Sequence, residues 1–348
     1  MLRYCDGFVK ISHMEKGVTK WEKLNCKVPA VNWQQARVLE MQEEYAAAFD
    51  TSLVNTIEEM RTAYNEERKM WNTGGPVMAE TVDFDVPYEG DKVPVRLLRP
   101  VKAEKLPVIF FMHGGGFVEG NNDTHSMAQR KLAAYSGCVV IGIDYSLAPE
   151  IKYPRAIKEC VAVCHYVSEH ADEYGIDPEK IGFAGDSGGA NMAMGVCMCL
   201  RDEGFDVSKI KGNILYYGGY GLMSSISSYQ HGGKWDGMSE ADLSSPSCYI
   251  APDVNRFDCP YFHIYANDLT HDVPPCFLVA AELDPLRDDS KLLYEILTNN
   301  GIQAEYHEYK GALHAFIHYS KVMDDAEDAL RRGAHFFAHN CGLDPRNE

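Results

Sequence analysis

No apolar run in this chain approaches the roughly 18 uninterrupted residues that would mark a membrane span, so none is predicted. The first residues, Met1-Leu2-Arg3-Tyr4-Cys5-Asp6, lack the basic-then-apolar pattern of a secretory leader. A basic surplus is also missing. The formal net charge of −18 leaves no basic patch for nucleic acid or an anionic membrane, and an acidic, cytoplasmic protein is the expectation. No His/Cys cluster has a zinc spacing, so no metal is expected, and there is no internal repeat or low-complexity segment. The eleven cysteines are odd in number and scattered through apolar segments. Cys138 opens an apparent strand, Cys276 lies in another, Cys160 and Cys164 sit one helical turn apart, and Cys197 and Cys199 lie in an apolar helix. They read as reduced core thiols rather than a disulfide framework.

What is present is an ample core. With 348 residues and 45% hydrophobic content the chain can form one large domain, alone or with a lid. Its organising stretch is Gly185-Asp186-Ser187-Gly188-Gly189. The apolar run Lys180–Ala184 precedes it as a buried strand, and Ala190–Met194 follows as a helix start. A Gly-x-Ser-x-Gly turn between strand and helix is a nucleophile elbow, in which tight backbone geometry lifts the serine hydroxyl above the sheet. The same residues, Gly-Asp-Ser-Gly-Gly, also occur in chymotrypsin-like proteases. Those are all-β, disulfide-bonded, and place their histidine before the serine.

The rest of the chain decides between the two. Val38, Met41, Tyr45 and Ala48 mark one helix over 33–49, and Leu53, Ile57, Met60 and Tyr64 a second that runs to about Trp71 before Gly74-Gly75-Pro76 breaks it. Thr81–Val86 and Val93–Leu98 flank Glu89-Gly90-Asp91 as a hairpin. Strands are then predicted at Pro107–Met112, Cys138–Ile143, 180–184, Ile210–Tyr216, Pro275–Ala281 and Gln303–Tyr309. Between them lie helices over 124–135, from Pro154 to about Tyr174, from the elbow to about Leu200, and over 288–300; Val322, Ala326, Leu330 and Phe337 mark a terminal one. This alternation predicts an α/β protein with a mostly parallel sheet covered on both faces, and excludes the all-β protease. Residues 217–274 interrupt the alternation with Gly, Ser, Tyr and Asp and short helical hints at 239–243 and 247–250, the pattern of a lid or irregular loop.

A serine hydroxyl needs a base, and the base an orienting partner. Parallel sheets gather such groups on the loops at the carboxyl ends of strands. Three of those loops here present Ser187, Asp284 and His314, in the α/β-hydrolase order. Asp288 and Asp289 are rival acids at a helix start, and His318 is a rival base farther from the strand end. His113-Gly114-Gly115-Gly116 follows another strand. Side chains would block the approach of backbone N–H groups to a tetrahedral oxyanion, so the N–H groups of Gly115, Gly116 and Gly188 are the candidate hole, with His113 and Gly114 supporting its loop.

With His113–Phe117, Asp144–Glu150, Gly175–Pro178, Gly185–Gly189, Asp284–Asp289 and Leu313–Phe316 quoted, the chain resembles the hormone-sensitive-lipase-like family of α/β-hydrolases, and within it bacterial acetyl esterases. The resemblance implies an eight-stranded, mostly parallel sheet flanked by helices. It implies a catalytic core at 76–216 and 275–348, and a helical cap made by the helices of 1–75 together with 217–274. It also implies hydrolysis of short-chain acyl esters, acetyl to butyryl, without a cofactor. Gly188 stands where alanine is commoner in that family, which should loosen the elbow slightly, and Ser146 where arginine is frequent.

Phe117, Tyr217, Tyr220 and Trp235 are candidates to line the substrate pocket, and equally candidates for core or lid packing. A deacetylase of acetylated sugars or xylo-oligosaccharides would use the same machinery. A peptidase would need a gating domain that the chain lacks, and a ligand-binding relative would have shed triad members that are present here. The expected partner is a small-molecule ester; monomer and homodimer are both compatible with the motifs.

Overall fold

The apolar runs pair into one eight-stranded sheet of order β1-β2-β4-β3-β5-β6-β7-β8. In this computed structural model the described residues are 31–48, 54, 56–103, 105–222, 224–231, 238 and 249–344. The expectations for residues 1–30, Leu53, Trp235, the helical hint at 239–243 and the first half of that at 247–250 lie outside the described residues.

The strands are β1 (Glu80–Tyr88), β2 (Asp91–Arg99), β3 (Leu106–Met112), β4 (Val139–Ile143), β5 (Ile176–Asp186), β6 (Ile210–Tyr216), β7 (Cys276–Ala281) and β8 (Ala304–Tyr309). The helices are α1 (Trp33–Ala48), α2 (Ile57–Asn72), α3 (Ser126–Ser136), α4 (Arg155–Glu169), α5 (Gly188–Asp202), α6 (Ile226–Gln230), α7 (Arg287–Asn299) and α8 (Asp324–Asn340). From β4 through β8 all pairings are parallel, while β1 and β2 are antiparallel to each other and β2 is antiparallel to β4. The β1–β2 hairpin turns on Glu89 and Gly90, both at positive φ (50° and 84°), the two-residue geometry whose twist matches paired strands.

The central strands are apolar along their whole length because both faces are covered. All six residues of β7 and all five of β4 are buried. On one face the sheet packs with α4 and α5 around Ile157, Cys160, Val163, Met194 and Leu200. On the other it packs with α3 and α8 around Leu132, Ala133, Leu330, Ala334 and Phe337, and Val38 of α1 and Trp71 of α2 join that layer. Eight free cysteines, all buried, are distributed through these layers among the described residues.

Two element boundaries differ from expectation. Helix α4 stops at Glu169 rather than near Tyr174. Beyond it the chain turns at Gly175 (φ 56°), where the Ile176 N–H bonds the Ala171 carbonyl; Arg99 holds the carbonyls of Tyr174 and Gly175, and the Tyr174 ring stacks on Phe84 at 4.6 Å. Strand β5 consequently starts at Ile176, which pairs with Leu106, instead of at Lys180. Between β6 and β7 the described residues contain the short helix α6, capped by Ser225, and 3-10 turns at 256–258 and 264–266.

Candidate active site

The turn at Gly185–Gly189 tolerates no larger flanking residues. A Cβ on Gly185 would lie 2.3 Å from the Gly189 carbonyl oxygen, and one on Gly189 2.1 Å from that of Met112. Between them Ser187 takes φ 54° and ψ −122°, a conformation that costs a non-glycine residue roughly 1–3 kcal/mol. Its N–H is held by the Tyr216 carbonyl at 2.9 Å, so β6 fixes the start of the turn.

Three loops at the carboxyl ends of strands converge on the hydroxyl. Ser187 Oγ lies 2.8 Å from His314 Nε2, and His314 Nδ1 lies 2.7 Å from Asp284 Oδ2. Asp284 is fully buried, and its other oxygen accepts the Leu286 N–H at 2.8 Å. The order of donors is then defined: Ser187 O–H to Nε2, and Nδ1–H to the carboxylate. His314 is placed by Ala315, which adopts a left-handed conformation directly after it, and its ring meets the edge of Tyr217 at 4.9 Å. The rival groups go elsewhere. Asp288 accepts the Ser227 N–H, Asp289 accepts three N–H groups of residues 220–222, and His318 lies beside Asp186.

The glycine loop after β3 is folded tightly beside the elbow. Gly115 has φ 114°, and a Cβ there would lie 2.2 Å from the Glu119 carbonyl oxygen. Its carbonyl accepts the N–H groups of Val118 and Glu119. The Gly114 N–H is already engaged by Asp186 Oδ1 at 2.9 Å, whereas no acceptor for the N–H of Gly115 or Gly116 is found among the described residues. His113 is buried with its Nδ1–H on the Gly114 carbonyl at 2.8 Å, and its ring stacks on Tyr145 at 4.3 Å. Burial, reinforced by nearby His125, lowers its pKa to about 3, so it is a neutral brace and not a base. Tyr145 in turn donates to the His113 carbonyl at 2.7 Å.

Of the pocket candidates, Phe117 lies against Gly188 and stacks on Tyr249 at 4.4 Å, with Phe262 edge-on at 5.5 Å. Tyr217 touches the histidine and Tyr220 is buried in the core. The aromatic partners Tyr249 and Phe262 escape sequence reasoning because they belong to a segment without periodicity. So does Arg61 of α2, which donates to the Val118 and Ala148 carbonyls at 2.7 and 2.8 Å and ties the helix to the glycine loop.

Among the described residues, one group has the composition and closeness to hold a metal ion: His125, Asp186 and His318, all buried. Its contacts are those of a hydrogen-bonded carboxylate. His125 Nε2 is 3.2 Å from one oxygen, His318 Nε2 is 3.3 Å from the other, and the Gly114 N–H points at the first. No helix among the described residues is long and apolar enough to cross a membrane.

Residues 109–318 match the family described as alpha/beta hydrolase fold. Among solved structures, the chain is similar to EstE1, a thermophilic and thermostable carboxylesterase cloned from a metagenomic library. The identity is 30% over 82% of this chain and 97% of that one, with a TM-score of 0.78. It is similar to the hyperthermophilic esterase of the archaeon Pyrobaculum calidifontis at 28% identity, over 90% and 99% of the two chains, with a TM-score of 0.79. The ester-hydrolase EH1AB1 from the metagenome of Lake Arreo shares 26% identity over 90% and 100%, with a TM-score of 0.83.

Proposed function

The chain belongs to the α/β-hydrolase fold family, and from that membership we propose that it is a serine carboxylesterase hydrolysing short-chain acyl esters, acetyl to butyryl, through an acyl-enzyme. The observation that carries the reading is the unbroken hydrogen-bonded line from Ser187 through His314 to Asp284.

His314 Nε2 takes the Ser187 proton as Oγ attacks the ester carbonyl. Asp284 holds the imidazole with Nδ1 protonated and stabilises the cation that forms. The N–H groups of Gly115, Gly116 and Gly188 receive the oxyanion, each worth about 3 kcal/mol when placed beforehand in a dry site. The tetrahedral adduct collapses, the alcohol leaves with the proton from His314, and water activated by the same nitrogen releases the acid. Residues 76–216 and 275–348 form the catalytic core in this reading, with the helices of 1–75 and segment 217–274 as cap. The short acyl pocket of this reading is assigned to the side of Gly188 on which Phe117, Tyr249 and Phe262 pack together.

Initial rates on p-nitrophenyl esters from acetate to palmitate, with Ser187→Ala alongside, test it. Activity peaking at two to four acyl carbons and absent from the variant is expected. Absence of wild-type turnover at every chain length overturns the esterase reading.

A further inference from the structure

The residue before the nucleophile carries a buried carboxylate that the acyl-transfer chemistry does not use. Asp186 is 1% exposed, and three separate segments meet at its two oxygens. The Gly114 N–H of the glycine loop reaches Oδ1 at 2.9 Å. His125, the residue capping α3, places Nε2 3.2 Å from the same oxygen and 3.2 Å from the Gly114 nitrogen, so it touches both the carboxylate and the peptide that the carboxylate holds. His318, on the 3-10 turn Phe316–Tyr319 that follows the base loop, places Nε2 3.3 Å from Oδ2. The two imidazoles meet edge to face at 4.6 Å, and the Tyr217 hydroxyl stands 3.5 Å from Oδ2.

A carboxylate this deep is costly unless its lone pairs are met by donors. Burial alone would raise the Asp186 pKa, but the two histidines outweigh it and hold the group ionised. His318 is itself kept neutral, since burial drives its pKa down to about 3 with Arg68 adding to the shift. It therefore serves Asp186 as a neutral N–H donor across the working pH range. The fit is close on the other side as well: a Cβ on Gly114 would lie 2.6 Å from Asp186 Oδ2. The glycine loop is thus gripped at two consecutive residues, at His113 by Tyr145 and at Gly114 by Asp186.

We propose that His318 is a positioning residue for the oxyanion loop: together with His125 it fixes the Asp186 carboxylate, which fixes the Gly114 peptide, which presents the N–H groups of Gly115 and Gly116. The turn after the base and the loop of the hole are then held in register through one carboxylate. The catalytic part of this inference rests on the esterase reading above; the ordering of the loop does not.

The test uses His318→Phe, which keeps a ring but removes the donor, and His318→Gln, which restores an amide donor. For p-nitrophenyl acetate, kcat should fall on the order of tenfold to a hundredfold in His318→Phe with KM within about twofold, less than deletion of a hole donor, and recover in part in His318→Gln. Affinity for an alkyl trifluoromethyl ketone, whose serine adduct carries the oxyanion, should fall in parallel. Amide exchange in the peptide spanning Gly114–Gly116 should accelerate in His318→Phe whether or not esters are turned over. Unchanged exchange there overturns the inference, as does lost kcat with undiminished ketone affinity. A wild type that turns over no ester overturns the esterase reading instead, and the exchange measurement still decides the positioning role. If His318→Phe does not fold, His318→Gln compared with His318→Ala gives the same comparison.

Discussion

The ring of Phe117 covers Gly188: a Cβ at Gly188 would sit 3.4–3.5 Å from three ring carbons, an ordinary contact distance. Gly188 is also the first residue of α5 and is not among the positive-φ positions. Gly188→Ala should therefore retain ester turnover and gain about 0.4–1 kcal/mol of stability by restricting the unfolded chain. Thermal melts paired with p-nitrophenyl acetate rates check this. The expectation that glycine loosens the elbow would then have a measured size.

Asp284→Asn preserves shape but turns an N–H₂ toward His314 Nδ1, or else favours the imidazole tautomer that cannot accept the Ser187 proton. A kcat reduction of about 10⁴ is expected. The melting temperature should move far less than the rate, because the Leu286 N–H keeps an oxygen acceptor.

Asp289 predicts a pH dependence of stability. Burial lifts its pKa to about 7; the N–H groups of Leu222, Tyr220 and Gly221 oppose that shift, and the Asp284 charge adds to it. The unfolded carboxyl titrates near ~3.9, so between about pH 4 and 7 the folded protein holds a proton that the unfolded chain has released. Stability from this group therefore falls as pH rises through that window, by at most about 4 kcal/mol. Asp289→Asn mimics the protonated acid and keeps an acceptor oxygen. Paired melts should show the variant gaining on the wild type from pH 5 to 8, with the gap closing toward pH 4.

Arg61 holds two backbone carbonyls and pairs with Glu150, whose side chain is 57% exposed. The ion pair is the weak part. Glu150→Ala should cost well under about 1 kcal/mol, and Arg61→Ala about 1–3 kcal/mol through the orphaned carbonyls. Arg61→Lys should not recover the difference, since an ammonium cannot span both oxygens in the guanidinium geometry. Urea melts of the three variants rank them.

The alternation of apolar runs with helical periods was enough to foresee the strand sequence, because a sheet buried on both faces leaves little choice of residue. Ser187, Asp284, His314 and the glycine loop were legible as candidates for a related reason: each stands on the loop that leaves the carboxyl end of a strand, and those strand ends define one edge of the sheet. The Asp186 contacts were not legible. His125 and His318 stand on segments far apart in the chain, each reads locally as an ordinary helix-start or loop histidine, and only the crossing of β3, β5 and the turn after β8 brings them to one carboxylate. Helix α4 ended early for a local reason: Gly175 takes a positive φ and the Ile176 N–H closes on the Ala171 carbonyl, a turn that Arg99 on a distant strand then pins through the Tyr174 and Gly175 carbonyls.

The left-handed backbone of Ser187 has an evolutionary consequence. Glycine holds φ 54° without the side-chain clash, so Ser187→Gly relaxes the turn while deleting the proposed nucleophile. Selection for heat resistance alone, with no demand for turnover, would have a route to sturdier but inert descendants through this codon. The sequence best suited to the fold and the sequence suited to the proposed chemistry part company at one residue.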